Sequence, residues 1–333
     1  MRISVLGAGG WGTTLAILLH YNGHDVTLWE YKSNYAKTLD KTRENKIYLP
    51  GIKIPDEIII THSLKKSCEN QHMIVIAIPS QFIRSVLHEL NSYDFHDTTF
   101  VSVSKGIEKV TLKTVSQIIH DVLKKISPSQ VGVLSGPSHA EEVSRKIPTA
   151  VVAASKDEFT AKQIQNAFIT SYFRVYSSTD ILGVEYGGAT KNVIAIGAGI
   201  IDGAKFGDNT KAAIMTRGIA EISRLGIALG ARPETFSGLS GMGDLIVTCM
   251  SKHSRNRYVG EQIGAGKKLK DVLKSMQMVA EGVETCKSVR ELAIKHKVST
   301  PIVNSVYQIL FEERDPIKVT YELMTRDMKA ERE

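Results

Sequence analysis

Cysteine is scarce: Cys68, Cys249 and Cys286 are odd in number and widely spaced, and no C-x-x-C pair suggests a zinc site or a redox dithiol. Reduced thiols in a cytoplasm are expected. No stretch reaches the roughly 18 uninterrupted apolar residues of a membrane span, and the chain enters a strand pattern at Arg2 without a charged leader and apolar signal core. The expectation is a cytoplasmic protein with no integral membrane span. A clustered basic stripe with interleaved aromatics is also missing. The densest basic stretch, Lys267, Lys268 and Lys270, is short, so no nucleic acid is expected as a partner. Neither G-x-S-x-G nor H-E-x-x-H occurs, and the ten histidines show no metal-ligand grouping. Hydrolase and metalloenzyme readings fail on that ground, and no metal is expected. Internal repeats and low-complexity segments are lacking too.

What is present is ordinary in bulk. The 42% hydrophobic and 23% charged fractions are those of a globular protein, and 333 residues exceed one typical core, which predicts two compact domains. The formal charge of +7 is spread along the chain. It fits a basic surface serving solubility equally with a diffuse field that captures a phosphorylated, anionic metabolite.

Short β-branched runs alternate with helix-patterned stretches in the first half, the rhythm of a parallel sheet covered by helices. Eight strands are predicted, near Ile3–Leu6, Val26–Trp29, Ile58–Thr61, Ile74–Ile78, Phe100–Val103, Val131–Leu134, Ala150–Ala153 and Phe173–Tyr176. Beyond Gly183 helical spacing takes over, with helices predicted over Asn209–Leu229, Val283–Ile294, Ile302–Phe311 and Lys318–Thr325. The expected architecture is α/β: an N-terminal Rossmann-like doubly wound sheet over residues 1–180, then a mostly α-helical domain over 181–333, with the boundary between Ser178 and Gly183.

The first strand runs into Gly7-Ala8-Gly9-Gly10-Trp11-Gly12 and then the helix-like Thr13–Leu19, which gives G-x-G-x-x-G its required strand-to-helix context. Gly7 permits a tight turn, Gly9 lets backbone approach a pyrophosphate, and Gly12 allows close helix–strand packing. The helix N-terminus then receives the pyrophosphate. Glu30 follows Gly12 by 18 residues and ends the second strand, where a carboxylate accepts hydrogen bonds from the adenosine ribose of NAD. Lys32 beside it is a cation suited to the 2′-phosphate of NADP. NAD or NADP is therefore the expected cofactor, with NAD favoured by Glu30.

Further motifs follow in order: Val103-Ser104-Lys105-Gly106, Leu134-Ser135-Gly136-Pro137-Ser138, Gly187-Gly188-Ala189-Thr190-Lys191-Asn192-Val193, Gly241-Met242-Gly243-Asp244-Leu245 and Ser254-Arg255-Asn256-Arg257. With Gly7–Trp11 this ordered set resembles the bacterial-type NAD(P)-dependent glycerol-3-phosphate dehydrogenase family over nearly the whole chain. The resemblance implies reversible reduction of dihydroxyacetone phosphate to sn-glycerol 3-phosphate, a role feeding phospholipid synthesis, and a homodimer.

Such chemistry needs an acid/base for the hydroxyl proton and cations for the phosphate. Lys191 lies in an otherwise small, apolar stretch, and burial can tune a lysine to about 7 or 8; with the matched motif it is the candidate general acid/base rather than a lysine snorkelling to water. By resemblance Lys105 polarises the carbonyl, the alternative being an exposed turn lysine. Asp244 orients Lys191 or holds a substrate hydroxyl, the alternative being a helix cap. Thr248 is placed to donate to the same substrate oxygen. Ser254, Arg255 and Asn256 are assigned to the phosphate, and Arg257 is read as a solvated helix-start residue. The resemblance adds Gly136, Ser138 and Ala140 along the substrate and cofactor channel. It puts Gly10, Trp11, Tyr31, Lys32, Tyr48, Lys105, Arg255, Val279 and Glu281 at the cofactor. Ser138 stands where threonine is frequent, Gly10 where serine is, and His139 where an aromatic ring is usual.

Two other readings share parts of this pattern. Related two-domain dehydrogenases act on β-hydroxy acids, 6-phosphogluconate or ketopantoate, and the Ser254-Arg255-Asn256 segment argues against them. A non-catalytic nucleotide sensor would have no need of Lys105, Lys191 and Asp244 together.

Overall fold

The computed structural model describes residues 1–328, 330 and 331. Among the described residues ten strands are present: β1 (Arg2–Leu6), β2 (Asp25–Trp29), β3 (Glu44–Asn45), β4 (Leu49–Lys53), β5 (Ile59–Thr61), β6 (Met73–Ile76), β7 (Thr99–Ser102), β8 (Val131–Ser135), β9 (Thr149–Ser155) and β10 (Phe173–Ser178). Eight of them form one sheet in the order β10-β9-β8-β7-β6-β1-β2-β5, and these correspond one for one to the eight predicted strands. Strands β6, β7 and β8 are buried along their whole length, as continuous apolar runs are when helices cover both faces of a sheet. The chain runs outward from β1 to β2 and β5 on one side, then crosses to β6 on the other, so a crevice opens at the C-terminal end of β1.

The sheet departs from the expected all-parallel pattern at one place. β9 pairs antiparallel with β8, while β10 runs parallel to β9. The segment between β8 and β9 turns back at the end where β8 finishes, and an antiparallel neighbour needs no crossover helix to reach its start. Residues 136–148 are thereby kept beside the crevice. A small antiparallel hairpin, β3 with β4, was also not foreseen.

The C-terminal domain is built around the 23-residue helix Ile181–Gly203, which is buried on nearly every side. The predicted helices appear as Asp208–Ala228, Glu281–Lys295, Pro301–Phe311 and Pro316–Met324. The central helix crosses Arg255–Gly264 on four glycines. A Cβ on Gly199 or Gly203 would sit 2.0 or 2.1 Å from the carbonyl oxygens of Arg257 and Glu261. One on Gly260 or Gly264 would meet those of Ile196 and Ile200 at 1.9 and 2.3 Å. Backbone touches backbone there, and any side chain would push the helices apart. The three cysteines are buried and unbonded. Among the described residues no helix is long and apolar enough to cross a membrane.

Candidate active site

The glycine loop after β1 is shaped by sterics. Gly7 has φ +112°, and a Cβ on it would lie 2.6 Å from the Ala77 carbonyl oxygen; one on Gly12 would lie 1.9 Å from that of Gly7. A Cβ on Gly9 would meet nothing within 4 Å, so this face of the loop is open. The helix Gly10–Tyr21 begins here with no side-chain cap and no acidic residue in its first turn. Its free N–H groups and positive dipole end suit a pyrophosphate.

A residue missed in the sequence holds this loop in shape. Asn45, fully buried on β3, donates from Nδ2 to the Ala8 carbonyl and to Thr13 Oγ1, both at 2.8 Å. Its Oδ1 accepts from the Tyr35 hydroxyl at 2.6 Å and the Tyr48 N–H at 3.1 Å. The hairpin is thus clipped over the glycine turn, with the Tyr48 carbonyl 2.6 Å from where a Cβ of Gly10 would be. Ala140 approaches the same point, 3.8 Å from that position, and its carbonyl accepts from Thr14 Oγ1. Trp11 packs on the sheet core, 6.5 Å ring to ring from Phe173.

Glu30 is buried at the end of β2, and its Oε1 accepts the Lys32 N–H at 2.9 Å. Burial pushes its carboxyl up against the pull of that N–H. Tyr31 and Lys32 are exposed beside it. On the far side of the crevice Val279 is half-exposed. Glu281 Oε1 accepts the Ser80 N–H at 3.2 Å, while its Oε2 is buried with no partner among the described residues. Burial raises Glu281 to about 7, opposed first by the Arg255 charge. An orphaned acceptor at this depth, facing the same crevice as an uncapped helix and an open glycine, fits a bound dinucleotide.

The chemical centre joins both domains. Lys191 Nζ, on the central helix, donates to Asp244 Oδ1 and to Thr248 Oγ1, each at 2.5 Å. Lys105 Nζ, from the loop after β7, donates to Asp244 Oδ2 at 2.8 Å and to the Gly136 carbonyl at 2.9 Å. Asp244 opens the helix Asp244–Met250, and a wide π-type turn over Leu239–Gly243 delivers it. Thr248, one turn on, donates to the Asp244 carbonyl. Asn192 Nδ2 donates to the Lys105 carbonyl at 3.2 Å, tying the loop to the helix that bears Lys191. Ser138 Oγ donates to the Gly136 carbonyl.

Burial lowers Lys191 to about 8, with Asp244 opposing the shift and Lys105 adding to it. For Asp244, burial works upward but the two ammonium groups outweigh it, and the carboxyl is held below its usual range. The result is a neutralised carboxylate between two lysines, one of them poised to exchange its proton near neutral pH.

Next to this centre begins the helix Arg255–Gly264. Ser254 caps it, its Oγ accepting the Arg257 N–H at 3.2 Å. Asn256 Oδ1 accepts the Gly282 N–H at 2.9 Å, so its amide nitrogen remains available. Arg255 is exposed at the helix start. Arg257 is a correction: it is not solvated but donates from Nε to Asp202 Oδ2 at 2.7 Å, an oxygen that also accepts from Lys211 Nζ. The close glycine crossing brings Arg257 against the central helix, where Asp202 waits.

Comparison with known proteins matches residues 2–161 to the NAD-dependent glycerol-3-phosphate dehydrogenase N-terminus and residues 180–321 to the C-terminus of the same family. A Chlorobium phaeobacteroides protein named as an NAD(P)+ glycerol-3-phosphate dehydrogenase is 53% identical, over 99% of each chain. A Salinibacter ruber protein of the same name is 51% identical, over 99% of this chain and 96% of its own. Among solved structures, the glycerol-3-phosphate dehydrogenase of Coxiella burnetii superposes with a TM-score of 0.93 at 36% identity, over 98% of this chain and 99% of its own.

Proposed function

The chain belongs to the NAD-dependent glycerol-3-phosphate dehydrogenase family, and from that membership we propose that it interconverts dihydroxyacetone phosphate and sn-glycerol 3-phosphate by reversible, NAD(P)H-dependent reduction at C2. The observation that carries this reading is the buried Lys191 amine, lowered to about 8 and aimed by Asp244 and Thr248.

When bound, the nicotinamide supplies the hydride for reduction and receives it in oxidation. Lys191 donates a proton to the C2 oxygen as that oxygen gains negative charge, and its neutral amine takes the proton back in the reverse direction. A group titrating near the working pH serves both directions. Asp244 keeps the amine in place and balances the cations, while Lys105 adds positive charge to polarise the carbonyl, so the reading calls for no metal. Arg255, the Asn256 amide and Ser254 bind the phosphate, with Gly136 and Ser138 lining the path between.

Further parts of the proposal rest on the same sequence. Glu30 favours NAD over NADP, with Gly7, Gly9, Gly10, Trp11, Gly12, Tyr31, Lys32, Tyr48, Ala140, Val279 and Glu281 framing the dinucleotide. The functional division falls at residues 180/181, in the link between β10 and the central helix. The enzyme works in the cytoplasm as a homodimer and feeds glycerophospholipid synthesis.

The test is oxidation of NADH and of NADPH with dihydroxyacetone phosphate, on wild type and Lys191→Ala. Turnover by wild type that falls about a hundredfold or more in the variant, with NADH binding retained, is the expected result. NADH binding by wild type without turnover of this ketone overturns the substrate.

A further inference from the structure

His139 lies inside the site but has no part in the reaction as assigned. It sits between Ser138 and Ala140, three residues past the Gly136 carbonyl that holds Lys105. Its ring is 5.8 Å, centroid to centroid, from that of His253, the residue before Ser254. The imidazole therefore bridges from the Lys105 side of the centre to the segment that opens the helix Arg255–Gly264. Its Nε2 is buried and has no hydrogen-bond partner among the described residues. Buried polar atoms in native proteins are partnered as a rule, and an orphan in a binding site points to a ligand that completes it.

The charges around the ring are of both signs, two cations and two carboxylates. Lys191 from the central helix and Lys105 from the loop after β7 face it, and Glu141 and Glu142 come from the short helix Ala140–Val143 that follows it. His253 is the neighbouring titratable ring. Burial, then the Lys191 charge, holds the imidazole below its usual value, so the ring is neutral at neutral pH. A phosphate dianion bound against Nε2 adds negative charge beside this neutral ring and draws a proton onto it.

We propose that His139 is a substrate-binding residue, its Nε2 donating to a phosphate oxygen of the bound triose phosphate in addition to the contacts of Ser254, Arg255 and Asn256. This rests on the substrate reading above. Because the imidazole can take up a proton as the phosphate binds, its contribution grows as pH falls from 8 toward 6.5.

The experiment compares wild type, His139→Phe and His139→Gln in ketone reduction at pH 8 and pH 6.5. In His139→Phe the KM for dihydroxyacetone phosphate is expected to rise about tenfold at pH 6.5, equivalent to ~1.4 kcal/mol, and less at pH 8. The kcat and the KM for NADH stay within about twofold. His139→Gln, a donor that does not titrate, restores part of the affinity and gives the same ratio to wild type at both pH values. A KM for His139→Phe within about twofold of wild type at both pH values overturns the proposal. So does a parallel loss of kcat and NADH affinity, which would make the ring a packing element. Failure of wild type itself to turn over this ketone would instead sink the substrate reading, and the two failures are thereby told apart.

Discussion

Asp244→Asn keeps the shape of the side chain and one acceptor oxygen but removes the negative charge between two ammonium groups. Lys191 Nζ lies 2.5 Å from Oδ1 and Lys105 Nζ 2.8 Å from Oδ2. Unit charges about 4 Å apart interact by ~4 kcal/mol at an effective dielectric of about 20. One pKa unit corresponds to about 1.4 kcal/mol, so complete loss of the charge amounts to nearly three pH units. The amide oxygen restores part of this, leaving a displacement of about two pH units. Burial and Lys105 already push Lys191 down to about 8, and Asp244 is what opposes them. Its removal therefore sends the lysine further down, to about 6. Ketone reduction needs the ammonium form. In wild type kcat/KM is expected to fall as pH rises through about 8, and in the variant as pH rises through about 6. At pH 7.5 the protonated fraction drops roughly 25-fold, given those two values. Glycerol phosphate oxidation needs the neutral amine, and its acid limb moves the same way. The assay is kcat/KM for the ketone from pH 5.5 to 9.5 at saturating NADH, with a melting curve as the folding control. An alkaline limb at the same pH in both proteins would refute Lys191 as the acid.

Three other perturbations test separate parts of the site. Glu30→Ala removes a buried carboxylate from the end of β2 and is expected to cut kcat/KM for NADH by about tenfold or more, from loss of charged hydrogen bonds, while NADPH is spared; equal losses for both cofactors would show that Glu30 does not choose between them. Asn45→Ala strips the donor from the Ala8 carbonyl and Thr13 Oγ1, so the KM for NADH should rise several-fold with the KM for the ketone unchanged, and a shift of the ketone KM alone would contradict this. Gly199→Ala puts a Cβ 2.0 Å from the Arg257 carbonyl oxygen. Overpacking of this kind costs about 1–3 kcal/mol, seen as a melting point lower by several degrees and a higher ketone KM with NADH affinity retained; unchanged melting would mean that the crossing is looser than described.

The sheet was legible because its strands are short, mostly β-branched apolar runs, buried on both faces at the centre, a pattern independent of which strand lies next to which. Pairing direction is not written in such runs, and the antiparallel β8–β9 join escaped the reading for that reason. The centre was legible in Lys105, Lys191, Asp244 and Thr248, since polar residues in glycine-rich or apolar surroundings stand out, and folding links them in one chain of hydrogen bonds, Lys105 and Lys191 to Asp244 and Lys191 to Thr248. Asn45, in the polar stretch Arg43–Lys46, carries no such contrast; only the depth to which β3 is drawn over the glycine turn reveals it. Asn192 was overshadowed by Lys191, although a second polar residue in an apolar helix signals a buried partner. Arg257 was misread because its partner Asp202 is 55 positions away in sequence and is supplied by the glycine crossing.

That crossing fixes a length. Lys191 stands eight residues, about 12 Å of helix, before Gly199, and Arg255 stands five residues before Gly260. With carbonyls touching α-carbons between the two helices, no repacking of side chains at the crossing can shift the backbone at Lys191 relative to the backbone at Arg255. The pair works as a fixed gauge between the two helix backbones. An engineer who wants these two positions further apart would gain nothing from repacking the interface, and would have to change the side chains themselves or rebuild the Ser251–Ser254 connection that leads into Arg255.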